Sequence, residues 1–199
     1  MISQIATFTP GQQPLVKKFI LYNKGEKSLL IYQEPERDRG KKILMISDRL
    51  WQYFPKIQKT IVINSSMTVG GSVNLTDIVS SSLFQFYSFF KHEYDETSKN
   101  HILIFLSATK DSPYGLVKYF YSDHKIHYFE AYARSGILLK KIYFINYESG
   151  EGDRIYPSQV KIINTLREND YSLIQMSSVR ETKIPEYYFN PSAMDKINE

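Results

Sequence analysis

Few residues of this chain are of types and spacings that could do chemistry. The histidines are His92, His101, His124 and His127. His124 and His127 stand three apart beside Asp123, a spacing that would hold a metal ion on one face of a helix. They fall where a turn enters a strand, and residues three apart in a strand point to opposite faces, so surface histidines and no metal are expected. Glu34, Glu36 and Asp38 cluster among Arg37 and Arg39. Paired carboxylates carry out glycoside hydrolysis, but such pairs normally come together in a cleft from distant parts of a chain, so these are expected to be solvated turn residues. "TVGGSV" (68–73) has adjacent glycines without the lysine and serine or threonine that complete a phosphate loop. Neither Gly-x-Ser-x-Gly nor His-Glu-x-x-His occurs, and the absence of cysteine excludes disulfides, thiolate catalysis and cysteine-held zinc. No catalytic residue and no cofactor is expected.

What remains is suited to binding. The runs "LFQFYSFF" (83–90) and "YFYSDHKIHYFEAY" (119–132) could stack nucleic-acid bases, fill a core with half-buried tyrosines, or line a cavity for an acyl chain. The ribonucleoprotein strand signature is absent. The net charge of +4 is spread through pairs such as Lys17-Lys18, Lys41-Lys42 and Lys140-Lys141, with no long basic run. Solvated strand ends account for such a distribution. An anionic partner (lipid head group, membrane surface or nucleic acid) is the alternative. No run approaches the roughly 20 apolar residues of a membrane helix. "MISQIATFTPGQQP" shows no basic region followed by an apolar one, which leaves open a cytoplasmic chain or one whose leader has been removed.

The elements that position these residues read as strands. Aromatics make up 15% of 199 residues, and aromatic and β-branched side chains suit pleated surfaces. Extended runs are expected at 15–22, 28–33, 42–46, 50–54, 59–64, 102–107, 117–121, 126–133, 138–147, 155–163 and 173–179, separated by glycine-, aspartate- and proline-bearing turns. In the turn "EPERDRGK" (34–41), Gly40 suits a positive φ. Roughly ten strands with short links imply one large antiparallel sheet, sandwich or barrel. "KILMI" and "LIYQ" are apolar on both faces, so part of the sheet is covered twice or curls around something apolar. In "GGSVNLTDIVSSSLF" (70–84), Asn74 can cap a helix with Asp77 three residues on, and the apolar spacing predicts a short amphipathic helix over 75–82. A second helical turn is expected in "NPSAMDKIN" (190–198).

"EPERDRGKKIL" (34–44), followed by "LWQYFPKIQK" (50–59) and "GGSVNLTDIV" (70–79), resembles the bacterial outer-membrane lipoprotein-sorting family, the LolA-like proteins. The likeness extends more loosely to 157–162 and to "YYFNPSAM" (187–194). It implies a single LolA-like domain over 1–199, mainly β. The implied fold is a strongly curved, incompletely closed antiparallel β-barrel of about ten strands, with one or two short helices over the concave face and an apolar cavity beneath. Family members carry a leader and usually an N-terminal helix, and this chain is expected to lack both. The implied role is a periplasmic carrier for the acyl chains of a lipid or lipoprotein, with a membrane export complex or an acceptor lipoprotein as further partner. Its binding would be non-covalent, with no enzymatic step and no nucleic acid. The residues expected to line the cavity and its lid are Trp51, Phe54, Met67, Leu75, Ile78, Val79, Phe84 and Phe86. A non-carrier module attached to an export complex, its interior filled by its own side chains, stays open as the second reading. An enzyme with polar residues converging in the concavity is the third.

Overall fold

The computed structural model describes residues 2–64, 68–70, 73–74, 77, 86–110, 112–151 and 155–197. Fifteen strands follow one another: β1 (Ile2–Phe8), β2 (Leu15–Lys24), β3 (Lys27–Glu34), β4 (Lys42–Ile46), β5 (Arg49–Phe54), β6 (Lys59–Ile63), β7 (Thr68–Gly70) and β8 (Val73–Asn74). Then come β9 (Tyr87–Asp95), β10 (Asn100–Ser107), β11 (Leu116–Ser122), β12 (Lys125–Tyr132), β13 (Leu138–Ser149), β14 (Ile155–Asn164) and β15 (Tyr171–Ser177). Thirteen of them form one antiparallel sheet in the order β6-β5-β4-β3-β2-β1-β15-β14-β13-β12-β11-β10-β9, and β7 pairs only with β8. The incomplete closure expected of the sheet is observed: among the described residues β6 and β9 are its two edges and do not pair with each other. The expected count of about ten strands and the description as a barrel are corrected to one open antiparallel sheet of thirteen strands.

Besides the short β7–β8 pair, two strands of the large sheet escaped the sequence reading for physical reasons. In β1 the buried face carries Ser3 and Thr7 beside Ile5, so hydrophobic residues do not alternate with polar ones. β9 is an edge strand exposed along most of its length, so its aromatics read as a cluster rather than as a strand. β1 nonetheless sits at the centre of the sheet, pairing with β2 on one side and β15 on the other.

Every strand of the large sheet contributes to one apolar cluster, from Leu50 on β5 through Leu30, Phe19, Ile5 and Ile174 to Phe129 on β12, with Ile63 of β6 packed against it. A twisted sheet of this many strands curls, and the face shared by all of them is its inner one. Period-2 alternation sends the intervening residues Leu29, Ile31, Leu44 and Tyr53 to the outer face. There they are covered by Phe189, Met194 and Ile197 from the C-terminal segment. This explains why β3 and β4 are apolar on both sides. The segment contains two 3-10 helices, Glu186–Phe189 and Pro191–Lys196; the Asn190 side chain caps the second by accepting from the Ser192 N–H at 3.0 Å. Lys24 and Lys27 hold Glu186 at 2.8 and 3.1 Å. The helical turn expected in "NPSAMDKIN" is thus present, but it lies over the outer face. Its placement over the concave face is corrected, because the apolar residues it covers are the outward-facing set of β3–β5. Among the described residues no helix is long and apolar enough to cross a membrane.

Candidate functional site

The inner face has two walls. On β2–β5 it is mainly aliphatic, with Leu21, Leu30, Ile43, Met45 and Leu50 all nearly inaccessible. On β9–β13 it is aromatic. Phe89, Phe105, Tyr119, Phe129 and Phe144 follow one another across five adjacent strands, with ring centroids 5.7, 5.8, 5.1 and 6.0 Å apart. These spacings suit edge and tilted ring contacts. The ladder is buried at its middle, where Phe129 sits, and emerges at the β9 edge, where Phe89 is 59% exposed.

The chain that joins the two edges, between β6 and β9, meets this face at its described residues. Of its described residues, Val73 and Phe86 are fully buried within the inner cluster. Asp77 lies on helical backbone and its carboxylate is the hub of a polar node. Lys140 of β13 reaches Asp77 Oδ2 at 2.7 Å, with the two side chains only 9% and 2% exposed. The Tyr114 hydroxyl donates to Asp77 Oδ1 at 2.7 Å, and the Asn74 N–H donates to Oδ2 at 2.8 Å. Tyr87 accepts from the Tyr114 N–H at 3.1 Å. The Asn74–Asp77 contact is half of a capping box, with the acidic residue reaching back to the cap N–H, as the sequence spacing implied. Burial, reinforced by the Asp77 carboxylate, raises the Tyr114 hydroxyl well above its ordinary value, so it remains a donor. A buried carboxylate needs a cation and hydrogen bonds together, and this one has both. The node ties the joining segment to the sheet.

Sequence reasoning missed Lys140 and Tyr114 as partners of Asp77. The only available signal was that Lys140 falls in step with the inward-facing Ile142 and Phe144. Of the eight residues expected to line the site, three lie among the described residues. Phe86 is in the inner cluster, and Phe54 shares the face of Leu50 by strand alternation. Trp51 is on the other side of the sheet, packed against the cluster that contains Phe189 and Met194. Its assignment to the cavity is corrected, because its neighbour Leu50 occupies the inward position. Met67, Leu75, Ile78, Val79 and Phe84, and the helix expected over 75–82 apart from Asp77, lie outside the described residues.

The acidic loop also departs from expectation. Glu34 and Glu36 are exposed, but Asp38 is buried, with Lys41 at 2.5 Å and Lys17 at 3.6 Å. Burial alone would raise its carboxyl; the Lys41 hydrogen bond and the charges of Lys17, Lys41 and Arg37 outweigh this and hold it below the ordinary carboxylate value. Gly40, at φ 75°, turns the chain back, its N–H bonding to the Tyr32 carbonyl at 2.9 Å. "EPERDRGK" is therefore a structural loop. His124 occupies a turn and the His127 ring meets the Ser122 hydroxyl at 2.7 Å. Among the described residues no group of three potential metal ligands occurs. Gln52 Oε1 is buried without a hydrogen-bond partner there.

A family model described only as an uncharacterized protein matches residues 24–196. The chain belongs to that family. Its fold is LolA-like: a LolA superfamily protein from Nitrosomonas europaea superposes with a TM-score of 0.83 at 21% identity, over 95% of this chain and 88% of the other. A domain assigned to the outer membrane lipoprotein-sorting proteins, from Vibrio parahaemolyticus, gives 0.80 at 19% identity over 98% and 89%. A protein from Desulfovibrio piger, of a family of unknown function, gives 0.79 at 19% identity over 97% and 89%. No curated protein matches the chain.

Proposed function

We propose that this protein is a periplasmic carrier that holds the acyl chain of a lipid or lipoprotein against the inner face of its sheet, beneath the segment joining β6 to β9. The observation that carries this reading is that one continuous apolar face, aliphatic on β2–β5 and aromatic on β9–β13, receives Val73 and Phe86 of the segment joining β6 to β9, which the buried Asp77–Lys140 pair fastens to the sheet. Binding is non-covalent. Apolar burial at roughly 25 cal/mol per Å² supplies the affinity, and release requires the Asp77–Lys140 contact to open. The LolA-like fold supports the same reading, as does the lipoprotein-sorting assignment of one structural neighbour.

A second reading has an observation of its own. Phe19, Leu30, Met45, Phe86 and Ile162 are fully buried among protein atoms, as expected of a filled interior belonging to an interaction module on an export complex. One experiment separates the two: native mass spectrometry of gently purified protein, with lipid extraction of the same sample. A co-purifying acylated species, displaced from a Lys140→Met variant, supports the carrier. Bare protein that also takes up no added fatty acid or lipopeptide removes it in favour of the module.

A further inference from the structure

We propose that one end of the sheet, where the turns at 55–58, 133–137 and 165–170 project, docks on an anionic lipid surface. The antiparallel order sends successive turns to alternate ends of the sheet. The turns β1–β2, β3–β4, β5–β6, β10–β11, β12–β13 and β14–β15 share one end, and the remaining turns share the other.

The first end has a composition unlike the second. It presents Ile57, Ile137 and Leu166 to solvent at 61%, 55% and 62%, each in a turn that also carries a cation: Lys56, Arg134 and Arg167 respectively. Two of these turns are neighbours, since the Thr165 N–H donates to the Leu139 carbonyl at 3.0 Å. Arg37, Arg39, Lys110 and the flanking Lys59 are exposed at the same end, against Glu36, Glu168 and the flanking Glu34 among the described acids. The opposite end has no such excess of cations. Its turns expose Glu26, Asp48, Glu96, Asp123 and Glu151, against Lys99 and the flanking Lys24, Arg49 and Lys125.

Protruding aliphatic side chains flanked by lysine and arginine are the chemistry that recognises an anionic bilayer. The aliphatic groups enter the head-group boundary while the cations remain with the phosphates. The three tips are spread over separate hairpins of the sheet. That arrangement fits an extended planar target better than the hot-spot geometry of a protein partner.

The test is cosedimentation of the full chain, without added cargo, with vesicles of phosphatidylethanolamine and phosphatidylglycerol, and with neutral phosphatidylcholine vesicles. Binding is expected to the anionic vesicles alone, weakening as salt rises. It should fall about tenfold or more in the triple variant Ile57→Ser, Ile137→Ser, Leu166→Ser. The control Ile155→Ser, equally exposed but at the opposite end, should bind as the wild type does. All substituted side chains are exposed, and circular dichroism checks that the variants stay folded. Absence of binding to anionic vesicles, equal binding to neutral ones, or undiminished binding by the triple variant overturns the proposal; an acidic protein surface then becomes the better partner. Because no cargo is present, the outcome is independent of whether the interior carries an acyl chain.

Discussion

Removing the Lys140 ammonium leaves the Asp77 carboxylate in a space that water reaches poorly, with only neutral donors for company. Breaking one partner of such a buried pair costs about 3 kcal/mol or more, so Lys140→Ala should lower the urea midpoint accordingly. Replacing both residues with neutral groups of similar shape removes the charge that has to be compensated. Asp77→Asn combined with Lys140→Met should therefore recover much of the loss. If the pair also fastens the joining segment, both variants should take up a hydrophobic dye faster than the wild type, even where stability is restored. Unchanged dye uptake by the double variant would reduce the pair to a stabilising contact. Asp38 behaves differently because its partners are partly solvated. Its carboxyl is held below the ordinary value, so its stabilising contribution is complete above the unfolded carboxylate pKa, about 3.9, and is lost as pH falls through the lower folded value. Asp38→Asn should cost about 1–2 kcal/mol at neutral pH. The gap between variant and wild type should close progressively below about pH 4, read from denaturation curves across that range.

At the scale of elements, the two faces of β5 give Trp51 a use it was not expected to have. It packs under the C-terminal 3-10 helices, so the only tryptophan reports on the outer cover and not on the interior. Met194→Ala, which empties a fully buried position, should cost about 3 kcal/mol and move Trp51 emission to the red. Addition of an acyl ligand should leave that emission nearly unchanged, and a large ligand-induced shift would place the ligand on the outer face instead. The β4–β5–β6 ladder was legible in the sequence because short apolar runs were punctuated by "SD" and "PK", and turn chemistry is local. The facing of Trp51 was not legible, because β5 is apolar on both sides and alternation gives no sign of which side is in. β1 was hidden by Ser3 and Thr7, whose burial only the neighbouring strands determine. The Asp77–Lys140 node was out of reach for the same reason: its members are 63 residues apart, and nothing local connects them. The "EPERDRGK" motif that carried the family resemblance turned out to hold a loop together, with Asp38 clamped by lysines.

Within the sheet the whole molecule has two runs of strands, β2–β6 and β9–β14, which the pairing of β1 with β15 joins. Ile5 stands directly opposite Ile174 in that pairing, both nearly inaccessible, and the buried Thr7 and Ser172 hydroxyls are 3.0 Å apart beside them. The seam sets how far the aliphatic wall curls toward the aromatic one, and so sets the space beneath the joining segment. Two distinct spectroscopic reporters lie on either side of it: Trp51 fluorescence for the first half, and the near-ultraviolet dichroism of the Phe105–Tyr119–Phe129 ladder for the second. With the seam intact the two signals should unfold in one coincident transition, because neither half retains a covered inner face without the other. Ile174→Ala should lower the common midpoint by about 3 kcal/mol and enlarge the interior, raising uptake of a bulky acyl probe relative to a short one. Two separated transitions in the wild-type protein would mean that the halves are independent units, and the joining segment would then close a gap between two bodies instead of covering one continuous face.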